Sequence, residues 1–341
     1  MRMMRSKQTH LIIIVSLLII VIFSCDKKSK PIQLSDEQLK NLTLSSLSKV
    51  SEYPLYVMTY YGDYGFDAYL KTGQRDPLNI SNPLIDVWGC TCFSGLDNEN
   101  SRLFGRNFDW LSGSTPLLLF TDPPGGLASA SMVDLSYFGY GRENLPDLSE
   151  NRKNLLDTPW MPFDGMNEKG VAIGMMAVPR AKSPYDPSKS TLGEIELIRL
   201  VLDYAKNLDH AISLILKYNI RMEEPPIHYM IADSSGRSAV IEFYEGKMKI
   251  IPNTDPWQVS TNFILCEYDD PSQAGCWRFQ RACSILEGID GSVTNSSAMD
   301  ILDKVSQANT IWSVIYNKSS GDISIATGSE LSNTLHYNLY D

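Results

Sequence analysis

Between positions 92 and 252 the chain is cut into short apolar stretches of strand length, at 92–96, 103–108, 170–177, 228–233, 238–244 and 247–252. Several of them meet at turn-forming residues. Asn167-Glu168-Lys169-Gly170 and Ser234-Ser235-Gly236 have hairpin chemistry, and so does Ser319-Ser320-Gly321-Asp322 between apolar stretches at 310–316 and 323–326. Helical patterns interrupt these hairpins. One runs over 192–216, with Leu197, Leu200, Val201, Tyr204 and Leu208 on its apolar side and a break expected near Asn207-Leu208-Asp209; a second, amphipathic one covers 296–307. Parallel βαβ units would alternate strand and helix more regularly, so the pattern predicts an α+β layered domain rather than a doubly wound one. No internal repeat or low-complexity tract is present.

The N-terminus carries Arg2, Arg5 and Lys7, then an unbroken apolar run over 11–23. That run is too short to span a bilayer comfortably and reads as a secretory signal. Ser24-Cys25 at its end resembles the bacterial lipoprotein signal, in which the cysteine is diacylated and becomes the mature N-terminus. Asp26-Lys27-Lys28-Ser29-Lys30 then supplies a polar tether. The expectation is a signal peptide over 1–24, lipidation at Cys25, and residence in the bacterial cell envelope, membrane-anchored and facing outside the cytoplasm. Further on, Ser35 and Gln38 have the form of a capping box with Leu34 and Leu39 as its staple, so a helix should start near 35. The tyrosine-dense stretch 53–70 suggests an aromatic flap or edge hairpin, and 71–83 reads as loop.

With 341 residues, 43% of them apolar, the chain can bury one large core or two modest ones. The net charge of -10 comes with no basic block beyond the first thirty residues, which sets nucleic-acid binding aside. Beyond Cys25 the cysteines are Cys90, Cys92, Cys266, Cys276 and Cys283, an odd number in an exported protein, so at least one thiol should stay free or pair between molecules. Cys276 and Cys283 lie two helical turns apart, roughly 10 Å, too far for a bridge, and no disulfide framework is expected.

Gly89-Cys90-Thr91-Cys92 followed by Gly105-Arg106-Asn107-Phe108-Asp109 couples a thiol to a cation and a carboxylate. Two strands of a hairpin could bring Cys90, Arg106 and Asp109 together. Arg106 can stabilise a thiolate without losing its own proton. A base is still required, and none of His10, His210, His228 and His336 stands in a recognisable Cys-His context. Cleavage of the Gly89–Cys90 bond would supply one, because an α-amino group titrates near pH 8 and can take the proton of its own thiol. Asp109 would then orient that amine. Cys92 shares the Cys90 face of a regular strand and the other face of a bulged one; a packing role is favoured.

These segments resemble the choloylglycine hydrolase (linear amide C–N hydrolase) family of N-terminal-nucleophile enzymes, which includes conjugated bile acid hydrolases and penicillin V acylases, with acid-ceramidase-like amidases as relatives. Cys90-Thr91 looks like the nucleophile start, and Gly105 to Asp109 like the arginine and aspartate segment. Asp164-Gly165-Met166-Asn167-Glu168-Lys169-Gly170, ending in Pro179, resembles the hairpin beside the active site. Ile227-His228-Tyr229-Met230-Ile231-Ala232-Asp233 leads through Val240-Ile241-Glu242 to Ser260-Thr261-Asn262 in the family's order. Trp277-Arg278-Phe279-Gln280-Arg281 looks like the second active-site arginine segment, with Arg278 the better match and Arg281 the competitor.

The resemblance implies a four-layer αββα sandwich, two stacked mainly antiparallel sheets flanked by helices, over 90–341, preceded by a tether and pro-segment over 25–89. It implies Cys90 as nucleophile, cleavage between Gly89 and Cys90, and Asn262 with the Ala177 N–H as oxyanion donors. Gly89 would permit the strained peptide of self-cleavage. No cofactor or metal is implied; the partners are a small-molecule N-acyl amide and a membrane, with a homo-oligomer left open. Two departures stand out. Met176-Ala177-Val178-Pro179 lacks the asparagine usual in bile acid hydrolases, which puts bile-acid specificity in doubt, and the long segment before Gly89 resembles members with propeptides. Met175, Met176 and the tyrosine cluster could line an acyl pocket or fill a core. The rivals are an acyltransferase of the isopenicillin N acyltransferase type and a lipid-anchored binding protein without chemistry.

Overall fold

Gly170 and Gly236 adopt left-handed φ of 69° and 92°, a conformation that residues bearing a Cβ rarely take. They turn Asp164–Asn167 into Ala172–Ala177 and Ile227–Ala232 into Ser238–Tyr244. The computed structural model describes residues 34–341 apart from positions 54, 79, 81–88, 111–112, 142, 149–151, 329–330 and 332. The expected signal peptide and Cys25 lie outside the described residues. Residues Ser35–Asp341 form one unit.

The two hairpins are the middle of a nine-stranded sheet. Its order is Ser48–Lys49, Tyr56–Tyr60, Pro116–Thr121, Ser129–Asp134, Asp164–Asn167, Ala172–Ala177, Ile227–Ala232, Ser238–Tyr244 and Lys247–Pro252. All neighbours are antiparallel except Tyr56–Tyr60, which runs parallel to Pro116–Thr121. A second, antiparallel sheet has the order Trp257–Ser260, Gly89–Gly95, Leu103–Asp109, Thr310–Asn317, Asp322–Thr327 and Leu335–Asn338.

The sheets stack face to face at their centres. A Cβ on Gly174 would lie 3.0 Å from Cys92 Sγ, 3.2 Å from Phe104 Cζ and 3.3 Å from Arg106 Cδ, so glycine there lets the sheets approach. Helix Glu194–Tyr204 covers the outer face of the larger sheet, and Trp277–Glu287 with Asn295–Lys304 cover that of the smaller one. This is the expected four-layer α+β sandwich. The helical stretch after 192 does break at Asn207, whose side chain caps Leu208–Ile215 by accepting from the His210 N–H at 2.9 Å. The capping box at Ser35 and Gln38 opens helix Asp36–Ser45.

The tyrosine-dense stretch is no flap; its strand pairs antiparallel with the two-residue edge strand Ser48–Lys49, as one arm of a short edge hairpin, and continues the sheet on its other side. Residues Tyr56–Tyr60 are that strand, parallel to Pro116–Thr121 inside the larger sheet and followed by helix Phe66–Thr72. The strand's period-two burial puts Tyr56, Met58 and Tyr60 in the core. Fully burying side chains such as Leu55, Met58 and Phe66 contributes ~1.5–3 kcal/mol each.

Candidate active site

Strand Gly89–Gly95 pairs with Leu103–Asp109 in unbroken register, Cys90 opposite Phe108 and Cys92 opposite Arg106. With no bulge, Cys90 and Cys92 share the face between the sheets. Arg106 also projects there. Its Nη2 approaches the Cys90 sulfur at 3.6 Å while Nη1 pairs with Asp164 Oδ2 at 2.6 Å and donates to the Phe163 carbonyl. Asp164 accepts further from Tyr316 Oη at 2.6 Å and Trp312 Nε1 at 3.1 Å. Burial works against the Arg106 cation, but the Asp164 carboxylate offsets it and holds the guanidinium charged. A surface ion pair between Arg106 and Asp109 is therefore ruled out by geometry: Arg106 is fully buried and bound to Asp164.

Asp109 stands three residues from Arg106, so on a strand it faces the other way. It lies opposite Gly89, accepting from Thr310 Oγ1 at 2.6 Å and Gln307 Nε2 at 2.6 Å. The three side chains do not converge at one point; Arg106 reaches the Cys90 sulfur and Asp109 borders the peptide that precedes it. Gly89 owes its identity to that crowding. It sits in a regular strand, and a Cβ there would come within 2.4 Å of Gln307 Nε2 and 3.0 Å of Asp109 Oδ2.

The Cys90 N–H donates to Asn262 Oδ1 at 2.6 Å. Arg278 Nη2 donates to the same oxygen at 2.8 Å, and two donors fix which way the amide points. Asn262 Nδ2 consequently gives one hydrogen to the Ala177 carbonyl at 2.8 Å. Arg278, at the start of helix Trp277–Glu287, also holds the Cys90 carbonyl and Thr91 Oγ1 and lies 3.9 Å from Asp109 Oδ2. Arg278 is buried and Arg281 exposed, so the first arginine of the segment is the one at the site.

The loop bearing Asn262 is anchored from behind. Glu242 accepts from the Leu265 and Cys266 N–H groups at 2.7 and 3.0 Å and meets His228 Nδ1 at 3.0 Å, while His228 Nε2 reaches the Thr261 carbonyl at 2.8 Å. His228 serves this loop and not the thiol. Burial pushes the Cys90 thiol above its ordinary value, against the pull of Arg106 and Arg278, with Asp109 adding to the rise. In the uncut chain the sulfur therefore stays protonated near neutral pH.

Cys90, Arg106 and Ala177 open onto a cavity of about 840 Å³. Its walls include Phe108, Trp110, Trp160, Phe163, Met175 and Glu194. Phe108 stacks on Trp110 and Trp312 at centroid distances of 5.3 and 4.0 Å. Of the proposed pocket residues, Met175 lines the cavity; Met176 is in the core, and none of the tyrosines at 53–70 lines it. Sequence reasoning missed the aromatic wall and Asp164's hold on Arg106, although Phe108 and Trp110 flank Asp109 in the motif itself. The Asn167 turn is structural, its amide capping the Leu202 and Ala205 carbonyls at 3.1 and 2.8 Å. Among the described residues no cluster of metal-ligating side chains occurs.

The model of the linear amide C–N hydrolases of the choloylglycine hydrolase family matches residues 90–264, just over half of the chain. A penicillin V acylase of Pectobacterium atrosepticum is 27% identical over 190 residues, 51% of this chain and 49% of that protein, so the chain spans about half the length of the curated relative it matches. Penicillin V acylase from Agrobacterium tumefaciens superposes with a TM-score of 0.52 at 17% identity, over 74% of this chain and 87% of that one. A mutant conjugated bile acid hydrolase from Clostridium perfringens gives 0.51 at 16% identity, over 74% and 92%. At these identities the likeness to the solved structures is one of fold.

Proposed function

The chain belongs to the choloylglycine hydrolase family of linear amide C–N hydrolases, and from that premise we propose that it hydrolyses a non-peptide N-acyl amide with Cys90 as an N-terminal nucleophile. The observation that carries the reading is the thiol's position. Cys90 stands at the cavity wall with its sulfur 3.6 Å from Arg106 Nη2 and its own N–H on Asn262 Oδ1.

In the uncut chain the thiol adds to the Gly89 carbonyl, its proton passing to the Cys90 nitrogen as the Gly89–Cys90 C–N bond breaks and frees the amine; water then hydrolyses the resulting thioester, releasing the Cys90 thiol and the Gly89 carboxylate. The freed amine keeps Asn262 Oδ1 as its partner, and Asp109 stands across the ladder from the neighbouring Gly89. The Cys90 amine takes the thiol proton as the sulfur adds to the substrate carbonyl, then delivers it to the departing amine. Arg106 supports the thiolate, and Asp109 orients the ammonium. The second hydrogen of Asn262 Nδ2, with the Ala177 N–H, receives the developing oxyanion. Water then releases the acid from the Cys90 thioester. The aromatic wall of the cavity suits an apolar acyl group. The apolar run over 11–23 and Ser24-Cys25 support export and lipid anchoring at Cys25.

The test is product analysis of the purified chain with penicillin V, conjugated bile salts and N-acyl lipids. Equal release of free acid and free amine is expected, abolished by Cys90→Ala. Transfer of the acyl group to an added amine in preference to water would establish the acyltransferase instead, and binding without turnover would leave a binding protein.

A further inference from the structure

Among the described residues ahead of the proposed cleavage point, those from 55 to 78 are built into the fold. Strand Tyr56–Tyr60 lies between two other strands of the larger sheet, and its parallel ladder runs from Tyr56 opposite Leu117 to Tyr60 opposite Thr121. Leu55, Tyr56 and Met58 are fully buried. Tyr64 Oη lies 2.7 Å from both oxygens of buried Asp203, and the Arg199 guanidinium that pairs with Asp203 at 2.9 Å sits over the Tyr64 ring at 5.6 Å. Phe66 and Tyr69 pack edge-on against Trp160 at 5.3 and 5.4 Å.

The same segment then reaches the substrate cavity. Arg75 pairs with Glu196 Oε1 at 3.0 Å and lies over the Trp160 ring at 5.1 Å. Arg75, Leu78 and Ile80 line the cavity that contains Cys90, together with Trp160 and Glu196. A strand, a buried hydroxyl–carboxylate contact and an aromatic cluster all hold the segment without help from the peptide bond at Gly89. Its departure would strip Pro116–Thr121 of its parallel neighbour, exposing the unpaired ladder and the apolar residues beneath.

We infer that cleavage yields a two-chain enzyme: the segment ending at Gly89 stays bound to the chain starting at Cys90, and Arg75 and Leu78 form a specificity-setting wall of the cavity. This rests on the cleavage proposed above. The retained chain is not a spent pro-segment but a permanent part of the sheet and of the site.

Two measurements test it. In full-length Cys90→Ala protein, a recognition sequence for a specific protease is inserted ahead of Gly89, so that the cut is made whether or not self-cleavage occurs. Native mass spectrometry should then give one particle with the summed mass of both pieces, separating only in denaturant. A C-terminal piece that runs alone, or precipitates as the N-terminal piece is released, would overturn the inference. The intact mass of wild type before any protease is added reports separately on self-cleavage. For the wall, Leu78→Glu should raise KM for an apolar acyl amide by about ten-fold or more with kcat little changed, while Leu148→Glu, at a site 75% exposed and outside the cavity, changes neither. An unchanged KM in a folded Leu78→Glu enzyme would overturn the assignment of that wall.

Discussion

Arg106 is the residue whose loss separates structure from chemistry. Arg106→Met keeps the buried aliphatic stem and removes the charge that faces both Asp164 at 2.6 Å and the Cys90 sulfur at 3.6 Å. Removing one partner of a buried ion pair typically costs about 3–5 kcal/mol. Tyr316 and Trp312 still donate to Asp164, which puts the expectation at the low end, about 3 kcal/mol at pH 8. The pH dependence has a definite sign. Burial already pushes the Asp164 carboxyl up, and losing the cation pushes it further. A carboxyl raised in the folded state contributes stability below its ordinary range and loses it as pH rises through the folded value, so the variant's deficit should widen from pH 5 to pH 8. Arg106→Met combined with Asp164→Asn removes both charges and should recover most of the stability. Turnover should not return, because the thiolate has still lost its cation. Urea unfolding at both pH values, with turnover on the best substrate, reads every arm. An Arg106→Met protein as stable as wild type at pH 8, or a double variant with restored turnover, would refute the reasoning.

Gly174→Ala places a methyl group against Cys92, Phe104 and Arg106 at 3.0–3.3 Å and should destabilise by ~1–3 kcal/mol in urea melts, with turnover falling because the thiol strand is displaced. Glu194 lines the cavity, and burial lifts its carboxyl from 4.5 to about 7, opposed by the Glu223 N–H. That shift corresponds to ~3 kcal/mol lost as pH rises from 4.5 through 7, so Glu194→Gln should match wild type below pH 4.5 and be more stable at pH 8; equal melting curves at pH 8 would contradict the shift. Asn262→Ala should lower kcat by ~10²–10³-fold, the loss of an oxyanion donor, with a smaller change in KM. A change confined to KM would take Asn262 out of that role.

Local chemistry was legible along the chain. The Ser35 capping box, the Asn207 break and the glycine hairpins each depend on residues within a few positions of one another, and each formed. Arg278 was separable from Arg281 by resemblance, and burial agrees. What stayed hidden depends on distant partners. The strand Tyr56–Tyr60 shows the right alternation, but its partner Pro116–Thr121 lies some sixty residues on and pairs in parallel, so no turn announces it. Arg106 and Asp109 fall on opposite faces because they are three apart on a strand, a parity the motif contains but spacing arguments from Cys90 overlook. Asp164 binds Arg106 across the interface between the sheets, and nothing near either residue in the sequence points to the other. The cavity's aromatic wall draws on Phe108 and Trp110 from one stretch and Trp160 and Phe163 from another, some fifty residues on, brought together by stacking of the two sheets.

Intact mass and N-terminal sequencing of wild type beside Cys90→Ala address the nucleophile most directly. Wild type should separate under denaturing conditions into two pieces, the larger beginning at Cys90, while Cys90→Ala stays whole and inactive. Uncut wild-type protein that nonetheless hydrolyses amides, or a Cys90→Ala chain cut at the same bond, would contradict an N-terminal cysteine as the catalytic group.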